Sequence, residues 1–140
     1  MVGSKNTSIL WGLFLLRFGL GAGVALWGVD KLVAPEHTVK MLSTLYSIDI
    51  SASIAIIAGA LELVLGLLIV MGMYKTITYG AGLVLNSIST LVVYYNLITP
   101  FGANHSHIDA IPVLFGFLAL FLLRDFDTKL SLGKRKSLFS

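Results

Sequence analysis

The chain has no cysteine, only three prolines and few charges. Without cysteine it makes no disulfide, no thiol nucleophile and no thiolate ligand of its own. Charged residues are 12% of its 140 residues, about half of the ~25% usual in a soluble domain. Four motifs are also missing: a GxGxxG opening a helix, a P-loop, a nucleophile elbow, and a close pair of acids suited to hydrolysis. Dinucleotide binding, P-loop phosphate chemistry and serine-type acyl transfer therefore have no starting point here. What the chain does have is apolar sequence, 56% by residue, with a mean hydropathy of +0.90.

That apolar content is gathered into four runs. A helix needs about 20 residues to cross a hydrocarbon layer of about 30 Å. The runs predict spans at about 8–33, 52–73, 76–98 and 107–124, followed by a basic tail at 125–140. The fold expected is all-α: one membrane domain, a transmembrane antiparallel four-helix bundle. Only Lys5 precedes the first run, which is longer than a signal h-region, so a span rather than a cleaved leader is expected. Between the first two runs, "PEHTVKMLSTLYSIDIS" repeats Val39, Leu42 and Tyr46 at helical spacing behind Pro35. A short amphipathic interfacial helix is predicted there. The turn "GMYKT" permits only an antiparallel hairpin, and "TPFGANHSH" breaks helix on both sides.

The net charge of +3 matters less than its distribution. Lys5, Lys75, Arg124, Lys129, Lys134, Arg135 and Lys136 flank one side of a four-span arrangement, and Lys31 and Lys40 flank the other. The positive-inside rule then places both termini in the cytoplasm. The tail "KLSLGKRKSLF" is expected against anionic headgroups, a topology signal rather than a nucleic-acid interface.

Membrane helices pack through small residues, because lipid offers no hydrophobic gain between them. Each run carries such a seam: Arg17, Gly21, Val24 and Gly28; Ala55, Gly59, Glu62 and Gly66; Gly82, Asn86, Ser89, Val93 and Asn96; Asp109, Val113, Gly116 and Leu120. Counting from the cytoplasmic ends puts Arg17 at roughly 13 Å depth, Glu62 at roughly 16 Å and Asn86 at roughly 15 Å. The expectation is that Arg17 pairs with Glu62 and that Asn86 completes the hydrogen bonding. Such a layer is either internal glue that fixes helix register, or the lining of a site for a polar headgroup or a proton.

A second polar group gathers at the opposite end: Asp30, Lys31, Asn96, His105, His107 and Asp109. "HSHID" offers imidazole and carboxylate donors suited to zinc, copper or iron. It also fits the Ser-x-x-acid pattern of a capped helix start, and the two histidines stand two apart, off a common helix face. No metal is assigned; His105, His107 and Asp109 are the candidates if one binds. A capped helix start and a polar pocket for a ligand or partner are the other readings.

These residues also carry a likeness. "LLRFGLGAGVALWGVDKLVAP", "GALELVLGLLIVMGM", "HIDAIPVLFGFLALFLL" and the trailing "LSLG" resemble the DoxX-like family over roughly residues 13–133. Arg17, Lys31, Glu62 and Asp109 occupy positions that look matched, while "RDFDT" replaces the family's Gly-Pro-Gly-like turn. The resemblance implies a small four-helix protein of a prokaryotic cell membrane, linked with quinone-dependent sulfur oxidation, terminal oxidases or oxidative-stress complexes. The thiol-handling role does not suit a chain without cysteine. The function expected is a small, non-catalytic subunit of a larger quinone-linked or oxidase-type membrane complex. No intrinsic cofactor is expected; a quinone or a lipid is the ligand class considered. A quinone-reducing subunit and a small transporter or proton path are the alternatives.

Overall fold

The computed structural model describes residues 2–99, 101–102 and 107–133. Among these residues the regular structure is helical: α1 (Val2–Val33), α2 (Pro35–Tyr46), α3 (Ala52–Met71), α4 (Lys75–Val92), α5 (Tyr94–Ile98) and α6 (Ala110–Leu122). In α1 the stretch Asn6–Val33, and the whole of α3, are long and apolar enough to cross a membrane. Only 22% of the most apolar window of each is buried inside the molecule, whereas the core helix of a water-soluble protein would be covered nearly all round. Leu15, Leu26, Ile57, Leu61 and Val64 face outward.

Helices α1 and α3 form the tightest pair, and glycine permits it. A Cβ placed on Gly28 would lie 2.5 Å from Leu63 N and 2.7 Å from Gly59 O, and one on Gly66 would collide with Ala25 N. The two backbones therefore touch directly, the close approach that small residues allow between helices in lipid. Residue numbers rise on α1 as they fall on α3, because Gly21 meets Gly66 and Val70 whereas Gly28 meets Gly59 and Leu63. The pair is antiparallel.

A second antiparallel pair is built from α4 and α6, with Phe117 laid over Gly82 and Phe121 beside Gly80. Val24, Ile69, Tyr79, Phe117 and Leu120 make the buried apolar core where the pairs meet. Gly116 of α6 sits against Leu16 and Leu20 of α1. The turn from α3 to α4 reverses the chain through left-handed Gly72 (φ 65°) and Tyr74 (φ 48°).

The helix predicted after span 1 is present as α2, with Pro35 in its first turn. Two boundaries differ from expectation. The run 76–98 is not one helix: α4 stops at Val92 and α5 begins at Tyr94. Asn86, Ser87, Ser89 and Thr90 each turn a side-chain donor onto the carbonyl four residues back, a habit that bends and weakens helices. The fourth helix starts at Ala110, later than the 107 expected, and Asp109 at its start makes no side-chain capping bond. Ser106, the other half of the predicted capping motif, lies outside the described residues.

Candidate functional site

The α1–α3 register decides where the polar residues lie. Arg17 stands one turn before Gly21, so it comes level with the end of α3, and its Nε donates to Val70 O at 3.1 Å. Glu62 adjoins Leu63, the residue that meets Gly28. Arg17 and Gly28 are eleven positions apart on one helix, or roughly 16 Å. The expected Arg17–Glu62 pair is therefore not formed. The depth count failed because it set the start of span 1 at Ser8, whereas α1 runs from Val2 and overshoots the end of α3.

Each charge has found another partner. Arg17 is fully buried and donates through Nη1 to Asp127 Oδ1 at 2.8 Å. Its Nη2 donates to Lys129 O and Leu130 O, both at 3.0 Å. Tyr79, also fully buried, donates its hydroxyl to Asp127 Oδ2 at 2.5 Å, and Lys75 Nζ donates to Asp127 O. The chain beyond α6 is thereby fastened across the α3–α4 turn. Leu132 N and Gly133 N donate to Met71 O and Gly72 O at 2.9 and 3.1 Å. Gly72 holds a left-handed φ of 65° that strains any larger residue, and a Cβ there would also sit 2.8 Å from both Arg17 Nη1 and Ser131 Oγ. A guanidinium and a carboxylate shut away from water are stable only as a well hydrogen-bonded pair. This centre is a clamp, and its chemistry is internally satisfied.

Glu62 instead accepts from Lys31 Nζ at 2.6 Å. Their side chains keep 12% and 16% exposure for Lys31 and Glu62, unlike the sealed clamp, because both border a cavity of about 410 Å³. That cavity is walled by Val24, Trp27, Leu85, Val93 and Val113, with Met41 and Leu45 of α2 closing one side. Its polar lining is Lys31, Glu62, Asn86, Ser89, Thr90, His107 and Asp109. Lys31 Nζ also stands 5.6 Å from the Trp27 ring centroid. Asn86, expected beside Arg17, donates to Gly82 O at 2.9 Å and borders the cavity.

The two predicted polar groups are thus redistributed. The cavity takes Glu62 and Asn86 from the first group and Lys31, His107 and Asp109 from the second. Asp30 turns to α2, where its Oδ2 lies 3.0 Å from His37 Nδ1. Asn96 sits on α5 and is not part of the cavity lining. His105 lies outside the described residues. Among the described residues no three His, Asp or Glu side chains converge as ligands for a metal ion.

The family model described as DoxX matches residues 12–95, more than half of the chain. The chain belongs to the DoxX family. No curated protein and no solved structure matches it. Family membership together with two outward-apolar helices makes it a membrane protein. The DoxX match includes Arg17, Lys31, Glu62 and Asn86 but ends before His107, Asp109 and Asp127. Sequence reasoning missed Asp127 as the partner of Arg17, and Tyr79 as the second partner of Asp127. The available signal was "RDFDT", an acid just past the last apolar run, at the end of the molecule that Arg17 approaches once α1 is allowed its full length.

Proposed function

We propose that this DoxX-family chain is a multi-pass integral subunit of a larger membrane redox assembly, without a catalytic centre of its own. In this reading α1, α3, α4 with α5, and α6 are four crossings. Lys75, Arg124 and Lys129 then mark the cytoplasmic side, which both termini share. The cavity holds an amphiphile of the quinone or lipid class, its head among the polar side chains and its body against the aliphatic wall. The observation that carries the reading is the cavity itself: about 410 Å³, with more apolar than polar wall and with an ion pair and an amide gathered in it. Ligand sites commonly have this make-up, in volumes of about 300–1,000 Å³. The large apolar residues left outward, such as Ile57, Leu61, Val84, Ile88 and Leu91, suit contact with lipid or with a foreign helix. The test is purification of the full chain from its native membrane in a mild detergent, followed by mass measurement of the intact assembly. A stoichiometric larger redox partner is the expected result; the chain recovered alone or only with itself contradicts the proposal.

A further inference from the structure

The cavity wall is richer in hydrogen-bond acceptors than in donors, and that imbalance says what head it takes. Asn86 spends a donor on Gly82 O at 2.9 Å, Ser89 its hydroxyl proton on Leu85 O at 3.0 Å, and Thr90 its own on Asn86 O at 2.7 Å. A hydroxyl that has given away its single proton keeps only lone pairs for a ligand, and an amide keeps its carbonyl oxygen. Glu62 and Asp109 add carboxylates, which only accept when ionised. On the other side of the count stand the N–H groups Lys31 keeps after giving one to Glu62, the second amide N–H of Asn86, the indole N–H of Trp27 and one N–H of neutral His107. These are still fewer than the lone pairs of two carboxylates, two hydroxyls and an amide oxygen.

Charge points the same way. Lys31 and Glu62 cancel at 2.6 Å, which leaves Asp109 as the acid without a basic partner among the described lining residues. A phosphate head would face that uncompensated carboxylate and be repelled by it, whereas a neutral or cationic head would not. Size narrows the choice further. A volume of about 410 Å³ accepts a ring-sized head and the first part of one tail, not a two-chain lipid.

We infer that the cavity selects amphiphiles whose head donates hydrogen bonds and carries no negative charge. A hydroxyl-bearing ring or an amine on a single apolar tail meets that description, and an anionic phospholipid does not. Within quinone chemistry the dihydroxy form fits better than the dione. The inference rests on the cavity reading proposed above, and the experiment separates the two.

The chain has two tryptophans. Trp27 lines the cavity, while Trp11 lies under Lys129 Nζ, 4.7 Å from its ring centroid. A Trp11→Phe background therefore leaves Trp27, at the cavity wall, as the single tryptophan reporter. In zwitterionic nanodiscs the full chain is titrated with 4-pentylphenol, with its methyl ether 4-pentylanisole, with heptylamine and with octyl phosphate. Trp27 emission is excited at the red edge, where the phenol does not absorb. The expected result is saturable binding of the phenol, the amine or both, at least tenfold tighter than the ether and the phosphate. Glu62→Gln should narrow that preference several-fold. Asp109→Asn, at an exposed position outside the packed core, should narrow it too if Glu62→Gln fails to fold. Equal binding of phenol and ether, or tightest binding of octyl phosphate, overturns the inference and leaves the cavity reading standing. Absence of saturable binding by all four probes overturns both.

Discussion

At the scale of the residue, the two cations of α1 meet opposite fates because of where the helix puts them. Arg17 sits where three segments close over it, so its planar fork is shared among one carboxylate and three carbonyls. Guanidinium suits such multidentate burial, since it cannot shed its charge and presents donors in several directions. Lys31 sits near the end of α1, and its flexible stem carries the ammonium back along the helix to Glu62. Tyr79 shows how finely the clamp is satisfied: its hydroxyl takes the carboxylate oxygen that Arg17 leaves. Tyr79→Phe should lower stability by about 1.5–3 kcal/mol, the range for a hydrogen bond to a charged group. Thermal unfolding in detergent would read this, and a change under about 0.5 kcal/mol, as at an uninvolved surface site, would show the bond to be dispensable.

At the scale of the element, the glycines of α1 divide into two kinds. Gly21 and Gly28 are pressed against α3, whereas Gly12, Gly19 and Gly23 have open space where a Cβ would go. Gly66→Ala should cost about 1–3 kcal/mol, as overpacking does in a close-packed interior. Gly23→Ala should be neutral or mildly stabilising, because alanine is the better helix former. Equal losses at both positions, read by thermal unfolding, would contradict the observed packing. The buried faces of α1 and α3 were legible in the sequence, where Arg17, Gly21, Val24, Gly28, Ala55, Gly59 and Gly66 are all buried as the small-residue seams required. In the seams of the later runs Gly82 and Leu120 are buried, but Ser89 and Asp109 are exposed. Helix periodicity fixes a face without reference to any other helix. Height does not have that independence, since it needs the true start of α1 and its register against α3. Arg17 was therefore given the right face and the wrong neighbour. Asp127 was legible only as an acid just past the last apolar run; its pairing was not, because it reaches Arg17 across 110 positions from a segment that belongs to no helix. The cavity was half legible, since polar residues on inward faces must gather somewhere. Which of them gather follows only from the way α4 and α6 pair.

At the scale of the whole molecule, two polar centres divide the labour. The clamp closes one end of the molecule by tying residues 127–133 to α1 and to the α3–α4 turn. The cavity opens in the body, between α1, α3, α4, α6 and the covering α2. A sealed pair suits architecture and a partly exposed one suits binding, which is why the proposed ligand is assigned to Lys31 and Glu62. The four-crossing arrangement is testable because the chain has no cysteine of its own. Single cysteines at Met73, Asp125 and Lys40 should be labelled by an impermeant maleimide in sealed vesicles of known orientation. Met73→Cys and Asp125→Cys should react from the same side, and Lys40→Cys from the other. Labelling of all three from one side would dismiss the proposed crossings.

The account turns most directly on which acid holds Arg17, and a pair of double-mutant cycles measures it. Arg17→Met is combined with Asp127→Asn in one cycle and with Glu62→Gln in the other, with unfolding free energy followed in detergent. Groups in one ion-pair network couple by about 0.5–3 kcal/mol, whereas distant groups add within about 0.3–0.5 kcal/mol. Coupling near the top of that range is expected with Asp127, and additivity with Glu62. Strong coupling between Arg17 and Glu62, with additivity at Asp127, would contradict it.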